Sequence, residues 1–320
     1  MKTVGLIGAR GHTGRELIAL LARREDMRLS FAVSRAMDGT PVRELAPEAP
    51  ADLTFEALDP EACASRGVDA VILAMPNGQA APYVAAFDAQ APDTVLVDLS
   101  ADYRFDDAWI YGLPEIYGRG ALTGARRISN PGCYATAGQL CVAPVRPWLS
   151  GPAHLFGVSG YSGAGTTPSR KNDLAALKDN LMPYMLAGHV HEREMSRHLG
   201  HEVRFSPHVA AFFRGIVMTA QLEFAQAVSA AELHAAYASA YEGETLIRVM
   251  DAIPEITDGA NRPGAVLGGL TLSEDGRRAV IVCALDNLLK GAAVQAMQNL
   301  ALALDLPEFE GLETWHPAAW

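Results

Sequence analysis

Cysteine is scarce in this chain and long apolar runs are missing. Four cysteines, Cys63, Cys133, Cys141 and Cys283, are scattered through 320 residues with no C-x-x-C pair. That spacing excludes a disulfide framework, suggests no metal site, and fits a reducing compartment. No uninterrupted apolar stretch is long enough to span a bilayer, so no membrane partner is expected. A strand-like segment at residues 3–7 leaves no room for a signal peptide, and a cytoplasmic protein is expected. Positive charge is in deficit: 26 Lys+Arg against 37 Asp+Glu give a net −11. This argues against nucleic acid and anionic membrane surfaces as partners. It does not forbid anionic small molecules, because a pocket can be locally positive on an acidic protein.

The length suits two domains. In the first part, short apolar runs at 4–7, 29–34, 69–74 and 94–99 alternate with helical stretches such as 15–23. Continuous apolar runs bounded by turn residues are what parallel strands covered on both faces produce. An α/β Rossmann domain is therefore expected. After about Pro131 the pattern changes. Strand-like stretches at 154–159, 203–206, 215–224, 265–272 and 279–285 are interleaved with helices expected at 133–142, 172–180, 191–199 and 230–241. That is an α+β pattern with a largely antiparallel sheet. A last helix is expected at 291–304. The acidic, aromatic tail from Glu308 carries no motif, and a loosely docked terminus is expected.

Gly8-Ala9-Arg10-Gly11-His12-Thr13-Gly14 follows the first strand and opens a helix. Glycines at this spacing permit a tight turn and close approach of a pyrophosphate, and the helix N-terminus offers free N–H groups to the anion. At the end of the second strand, where an NAD site usually carries an acid, stand Ser34 and Arg35. A hydroxyl and a guanidinium suit a 2′-phosphate, so NADP is the expected cofactor. Pro76 and Asn77 end another strand, and strand carboxyl ends are where open α/β sheets bind ligands. Cys133 follows Asn130-Pro131-Gly132 and begins a helix, where free N–H groups and the dipole favour a thiolate and can hold an oxyanion. A free cysteine is more often a small buried hydrophobe, which is the reading for Cys63, Cys141 and Cys283.

The stretch Ser129-Asn130-Pro131-Gly132-Cys133-Tyr134-Ala135-Thr136 resembles the active-site motif of the N-acetyl-gamma-glutamyl-phosphate reductases of arginine biosynthesis. Further resemblances run in order along nearly the whole chain. They are Gly11-His12-Thr13-Gly14-Arg15-Glu16-Leu17, with His12 where an aromatic is usual, then the segments starting at Asp98, Tyr111 and Ser159. Gly188-His189-Val190-His191, Phe205-Ser206-Pro207-His208, Arg214-Gly215-Ile216 and the run from Asp286 to Ala293 complete the set. The family is also similar to aspartate-semialdehyde dehydrogenases. The resemblance implies an NADP-binding Rossmann domain of residues 1–132 plus 286–320, a catalytic and oligomerisation domain of 133–285, and a homo-oligomer, dimer or tetramer. It implies that Cys133 displaces phosphate from an acyl phosphate to form a thioester, which NADPH reduces to N-acetylglutamate semialdehyde, with inorganic phosphate as co-product.

Such chemistry needs a base. His191 is preferred, with His189 close behind, and Glu194 lies three residues past His191, where a helix would let it orient the ring. For the substrate's anionic groups, Arg214 is the candidate for a carboxylate and Arg104 for phosphate. Asn130, Ser159 and His208 are further substrate-binding candidates. The turn at Ser162-Gly163 can cradle an anion or approach the nicotinamide. Asn287 can bond the carboxamide, or it and Asp286 can simply cap a helix. Two rival readings use the same scaffold: an acyl-phosphate reductase for aspartyl phosphate or for a carrier-protein-bound aminoadipyl phosphate, or a non-enzymatic NADP sensor.

Overall fold

The computed structural model describes residues 1–312 and divides into two compact units, Met1–Gly132 with residues 292–312, and Cys133–Gly291. The part of the expected first domain beyond residue 312 lies outside the described residues.

The first unit is built on seven strands: β1 (Lys2–Ile7), β2 (Met27–Val33), β3 (Phe55–Glu56), β4 (Ala70–Leu73), β5 (Val95–Asp98), β6 (Ile110–Tyr111) and β7 (Arg127–Ser129). They lie in the order β3-β2-β1-β4-β5-β7-β6, and every pairing is parallel. The apolar runs read from the sequence are buried on both faces. All four residues of β4 are fully buried, as are Val4 and Leu6 of β1. The strand order reverses between β1 and β4, which opens a crevice at their carboxyl ends. There Ala74 N–H donates to the Ile7 carbonyl at 2.8 Å. Gly8, at φ +83°, passes so close that a Cβ would lie 2.5 Å from the Ala74 oxygen. The helix His12–Leu21 follows, burying Leu17, Ile18 and Leu21. Glu308, in the expected loose tail, is instead held by Arg119 at 2.7 Å and by Gln298 at 2.9 Å.

The second unit carries β8 (Ala153–Gly160), β9 (Leu181–Pro183), β10 (Val203–Ala210), β11 (Ile216–Glu223), β12 (Ile247–Val249), β13 (Ala265–Leu272) and β14 (Arg278–Leu285). Their order is β12-β13-β14-β11-β8-β10-β9. The β8/β10 and β12/β13 pairs are parallel and the other four antiparallel, a mixed, largely antiparallel sheet. Alternation in β8, β10 and β11 turns Leu155, Phe205 and Met218 inward, on the side of the helix Cys133–Val142.

Two expected elements differ. The helix expected at 172–180 shrinks to one turn, Leu174–Leu177. Asn172 folds back instead, donating to the Gly165 and Thr167 carbonyls, and Asp179 ends the turn at φ +53°. The last helix is entered through a wide π turn, Leu289–Ala293, in which Gly291 N–H reaches the Asp286 carbonyl. The regular helix is Val294–Ala303.

Candidate active site

On the first unit the glycine turn is shaped for close approach. At Gly14 any Cβ would collide with the Ala9 carbonyl, so helix and turn pack as tightly as a dinucleotide fold requires. Gly11 begins the helix with no side chain to cap it, and its first turn holds no acid. The leading N–H groups beside Gly11, His12 and Thr13 therefore suit an anion. Arg10 is exposed at the turn. Ser34, at the end of β2, is 6% exposed, and its Oγ has no hydrogen-bond partner among the described residues. The exposed Arg35 follows it, and its charge is felt at the Tyr83 phenol. Pro76 and Asn77 are exposed beyond β4, where Asn77 Oδ1 accepts from Ala101 N–H at 2.9 Å. The Asp102 carboxylate accepts from Gly78 and Ala80 N–H, so the loops after β4 and β5 brace one another.

Two expected substrate ligands of this unit are engaged within it. Arg104 is 6% exposed and donates to the Asn130 carbonyl at 2.8 Å and the Leu99 carbonyl at 2.7 Å. Asn130 is 1% exposed; its Oδ1 accepts from Asn299, and its Nδ2 reaches the Ala292 carbonyl. Both hold the chain leading into Cys133.

On the second unit, Cys133 opens the helix Cys133–Val142 and is partly exposed, whereas the residues after it are buried. The other cysteines are buried. Cys63 is pushed up to about 12, first by burial and then by Asp59, and Cys141 well up, by burial and by its neighbour Cys283. Thiols held protonated are poor nucleophiles. The start of the Cys133 helix rests against the π turn, where a Cβ on Gly291 would lie 2.7 Å from the Cys133 Cβ.

Around this start the structure gathers both candidate histidines and two tyrosines. Tyr134 lies 5.9 Å from the His191 ring and 6.4 Å from that of His189, and the two histidine rings are 4.9 Å apart. His189 is the N-cap of the helix Val190–Leu199; its Nδ1 accepts the His191 backbone N–H at 3.1 Å. Burial first, then the Lys171 charge, lowers its pKa to about 4. A proton on Nδ1 would break the cap, so the His189 ring is held neutral at neutral pH. His191 is half-buried, and Glu194 is fully buried one turn along the same helix. Burial foremost pushes the Tyr134 and Tyr184 phenols up, with the Cys133 charge contributing to each.

The remaining candidates divide. Asn287 Nδ2 donates to Ser162 Oγ at 2.9 Å and its Oδ1 accepts Gly215 N–H at 2.7 Å, so it ties two loops to the chain after β14. Asp286 caps that segment by accepting from Leu288 and Leu289 N–H. Ser159 is buried and donates to the Gly160 carbonyl. Gly163 is exposed at the turn, where a Cβ would come within 3.0 Å of Ser159 Oγ. Arg214 is ion-paired at 2.7 Å to Asp286, whose side chain is fully buried, so its charge is already balanced. His208 is not brought to this group. Alternation in β10 sends its ring to the face opposite Phe205, where it packs 4.3 Å from Phe156. Only its carbonyl serves the site's side of the sheet, accepting from the Tyr134 hydroxyl at 2.6 Å. Sequence reasoning missed Tyr134, Tyr184 and Gly291 as site components. Tyr134 and Gly291 stood inside matched motifs, whereas Tyr184 carried no signal of its own. Among the described residues no group of His, Cys, Asp and Glu could hold a metal ion, and no helix is long and apolar enough to cross a membrane.

Comparison with known proteins accounts for both units. Residues 3–124 match the family described as semialdehyde dehydrogenase, NAD binding domain, and residues 133–287 the family described as semialdehyde dehydrogenase, dimerisation domain. An N-acetyl-gamma-glutamyl-phosphate reductase of Stenotrophomonas maltophilia (strain R551-3) is 55% identical over 310 residues, covering 97% of this chain and 98% of that protein. One from Xylella fastidiosa (strain 9a5c) is 52% identical over 315 residues, covering 98% and 94%. Among solved structures, aspartate semialdehyde dehydrogenase II of Vibrio cholerae complexed with ASA aligns at TM-score 0.75 and 16% identity, covering 95% of this chain and 98% of that one. The Candida albicans aspartate semialdehyde dehydrogenase with NADP aligns at TM-score 0.75, 17% identity and the same coverage. At those identities the likeness is one of fold.

Proposed function

Because the chain belongs to the N-acetyl-gamma-glutamyl-phosphate reductases, within the semialdehyde dehydrogenases, we propose that it reduces N-acetyl-gamma-glutamyl phosphate to N-acetylglutamate semialdehyde in arginine biosynthesis. The observation that carries the mechanism is Cys133: the one partly exposed cysteine among the four, at the start of a helix whose next residue, Tyr134, lies 5.9 Å from the His191 ring. Its thiolate attacks the γ-acyl carbon, the carbon–oxygen bond to phosphate breaks, and a thioester forms. N–H groups of the helix start are suited to hold the oxyanion. His191 takes the thiol proton, passes one to the oxygen of the thiohemiacetal and takes it back as that species collapses. Collapse of that species breaks the carbon–sulfur bond, releases the aldehyde and restores the thiolate.

The residues of the first unit fit a nicotinamide dinucleotide. Gly8 and Gly14 make a cradle that a Cβ would fill, and the unpartnered Ser34 hydroxyl with Arg35 suits a 2′-phosphate, which favours NADP over NAD. When bound, the cofactor supplies the hydride that reduces the thioester. A homo-oligomer is part of the same reading. The outer face of the second unit's sheet sets Phe156, 40% exposed, beside half-exposed Val158 and Val217, an apolar surface suited to a second copy.

The test is the reverse reaction: phosphate-dependent oxidation of N-acetylglutamate semialdehyde with NADP or NAD, followed by nicotinamide absorbance. The proposal expects turnover with NADP preferred, and a far lower kcat/KM with aspartate semialdehyde. NADP binding without turnover of any semialdehyde would reject it.

A further inference from the structure

The substrate just proposed carries a carboxylate and a phosphoryl group, and the two arginines read for them are engaged elsewhere. Arg104 donates to two backbone carbonyls and Arg214 is paired with Asp286. Lys171 is a different case. It lies half-buried in the loop between β8 and β9, with its Nζ 4.7 Å above the Tyr184 ring. Among the described residues no carboxylate pairs with it. The ring it rests on stands 5.7 Å from His189, which is 4.9 Å from His191. Its charge is felt at His189, and that of Cys133 at Tyr184, so one ring links the ammonium to the nucleophile's surroundings.

The loop is built to present this group. Asn172, next in the chain, donates to the Gly165 and Thr167 carbonyls and accepts from Ser169 N–H. That clamp fixes the backbone, while the aromatic face holds the end of the lysine stem. An ammonium so placed, with no internal counter-charge in a chain of net −11, is an anion site. We propose that Lys171 binds an anionic oxygen group of the substrate, either the carboxylate or the phosphoryl group. The inference rests on the reductase reading.

The test compares wild type with Lys171→Met, which keeps the stem on Tyr184, and Lys171→Arg, which keeps the charge. Phosphate and N-acetylglutamate semialdehyde are varied separately in the oxidative direction. Lys171→Met should raise one KM roughly tenfold, and Lys171→Arg should restore it to within about threefold. A rise for phosphate assigns the phosphoryl group, and a rise for the aldehyde assigns the carboxylate. Both constants unchanged in Lys171→Met would overturn the proposal. A second readout does not depend on turnover: protection of Cys133 from iodoacetamide by inorganic phosphate and by N-acetylglutamate. One anion should protect wild type and require roughly tenfold more to protect Lys171→Met. Equal protection of the two proteins, or protection of neither, would overturn it. Wild type that is protected but does not turn over the aldehyde would instead reject the reductase reading and leave the anion site standing.

Discussion

At the scale of single residues the two histidines are separated by what their nitrogens do. His189 spends Nδ1 on the cap, and burial holds its pKa near 4, below the ordinary 6.5. The unfolded chain therefore takes up this proton first, and the stability His189 contributes is complete above about pH 6.5 and lost as the pH falls towards 4. His189→Asn keeps a capping side chain, so thermal melts should show a shallower loss of stability across that window, with kcat at neutral pH little changed. His191→Asn should lower kcat by about 10²–10⁴-fold with little effect on melting. A large kcat loss in His189→Asn with none in His191→Asn would exchange their roles. The place of Cys133 at a helix start was legible in the sequence because the proline–glycine turn before it marks that start. The arginines were not, because a guanidinium suits a backbone carbonyl or a buried carboxylate as well as a substrate anion. Only the positions of the Asn130 carbonyl and of Asp286 show which it met.

At the scale of elements, the seat of the Cys133 helix is the π turn Leu289–Ala293. With 2.7 Å from a Gly291 Cβ to the Cys133 Cβ, Gly291→Ala must displace the first residue of that helix. A displacement of about 1 Å costs about 10²-fold in rate, so kcat should fall by that order while NADP affinity holds. Unchanged kcat in Gly291→Ala would show that the contact is slack. The apolar runs of β1, β4 and β5 were readable because burial on both faces leaves no polar alternation to confuse them. The stretch 172–180 misled because its composition suits a helix, while the Asn172 side chain finds better partners in the loop. Nothing local in the sequence reports those partners, which lie five and seven residues back along the chain.

At the scale of the whole molecule, one unit has the parallel sheet and glycine turn of a dinucleotide binder and the other holds Cys133 at a helix start. The half-exposed apolar face of the second sheet leads us to expect at least two chains per particle by light scattering, and Phe156→Glu to shift the population towards single chains. A wild-type monomer at micromolar concentration would remove that part of the proposal. The central claim is covalent: the acyl group passes through sulfur. It is tested most directly by mixing the protein with N-acetyl-gamma-glutamyl phosphate in the absence of reduced cofactor and reading the mass of its peptides. An N-acetylglutamyl adduct is expected on the peptide bearing Cys133, formed with one equivalent of phosphate and absent in Cys133→Ser. Turnover with no adduct, or an adduct on Cys63, Cys141 or Cys283 instead, would contradict it.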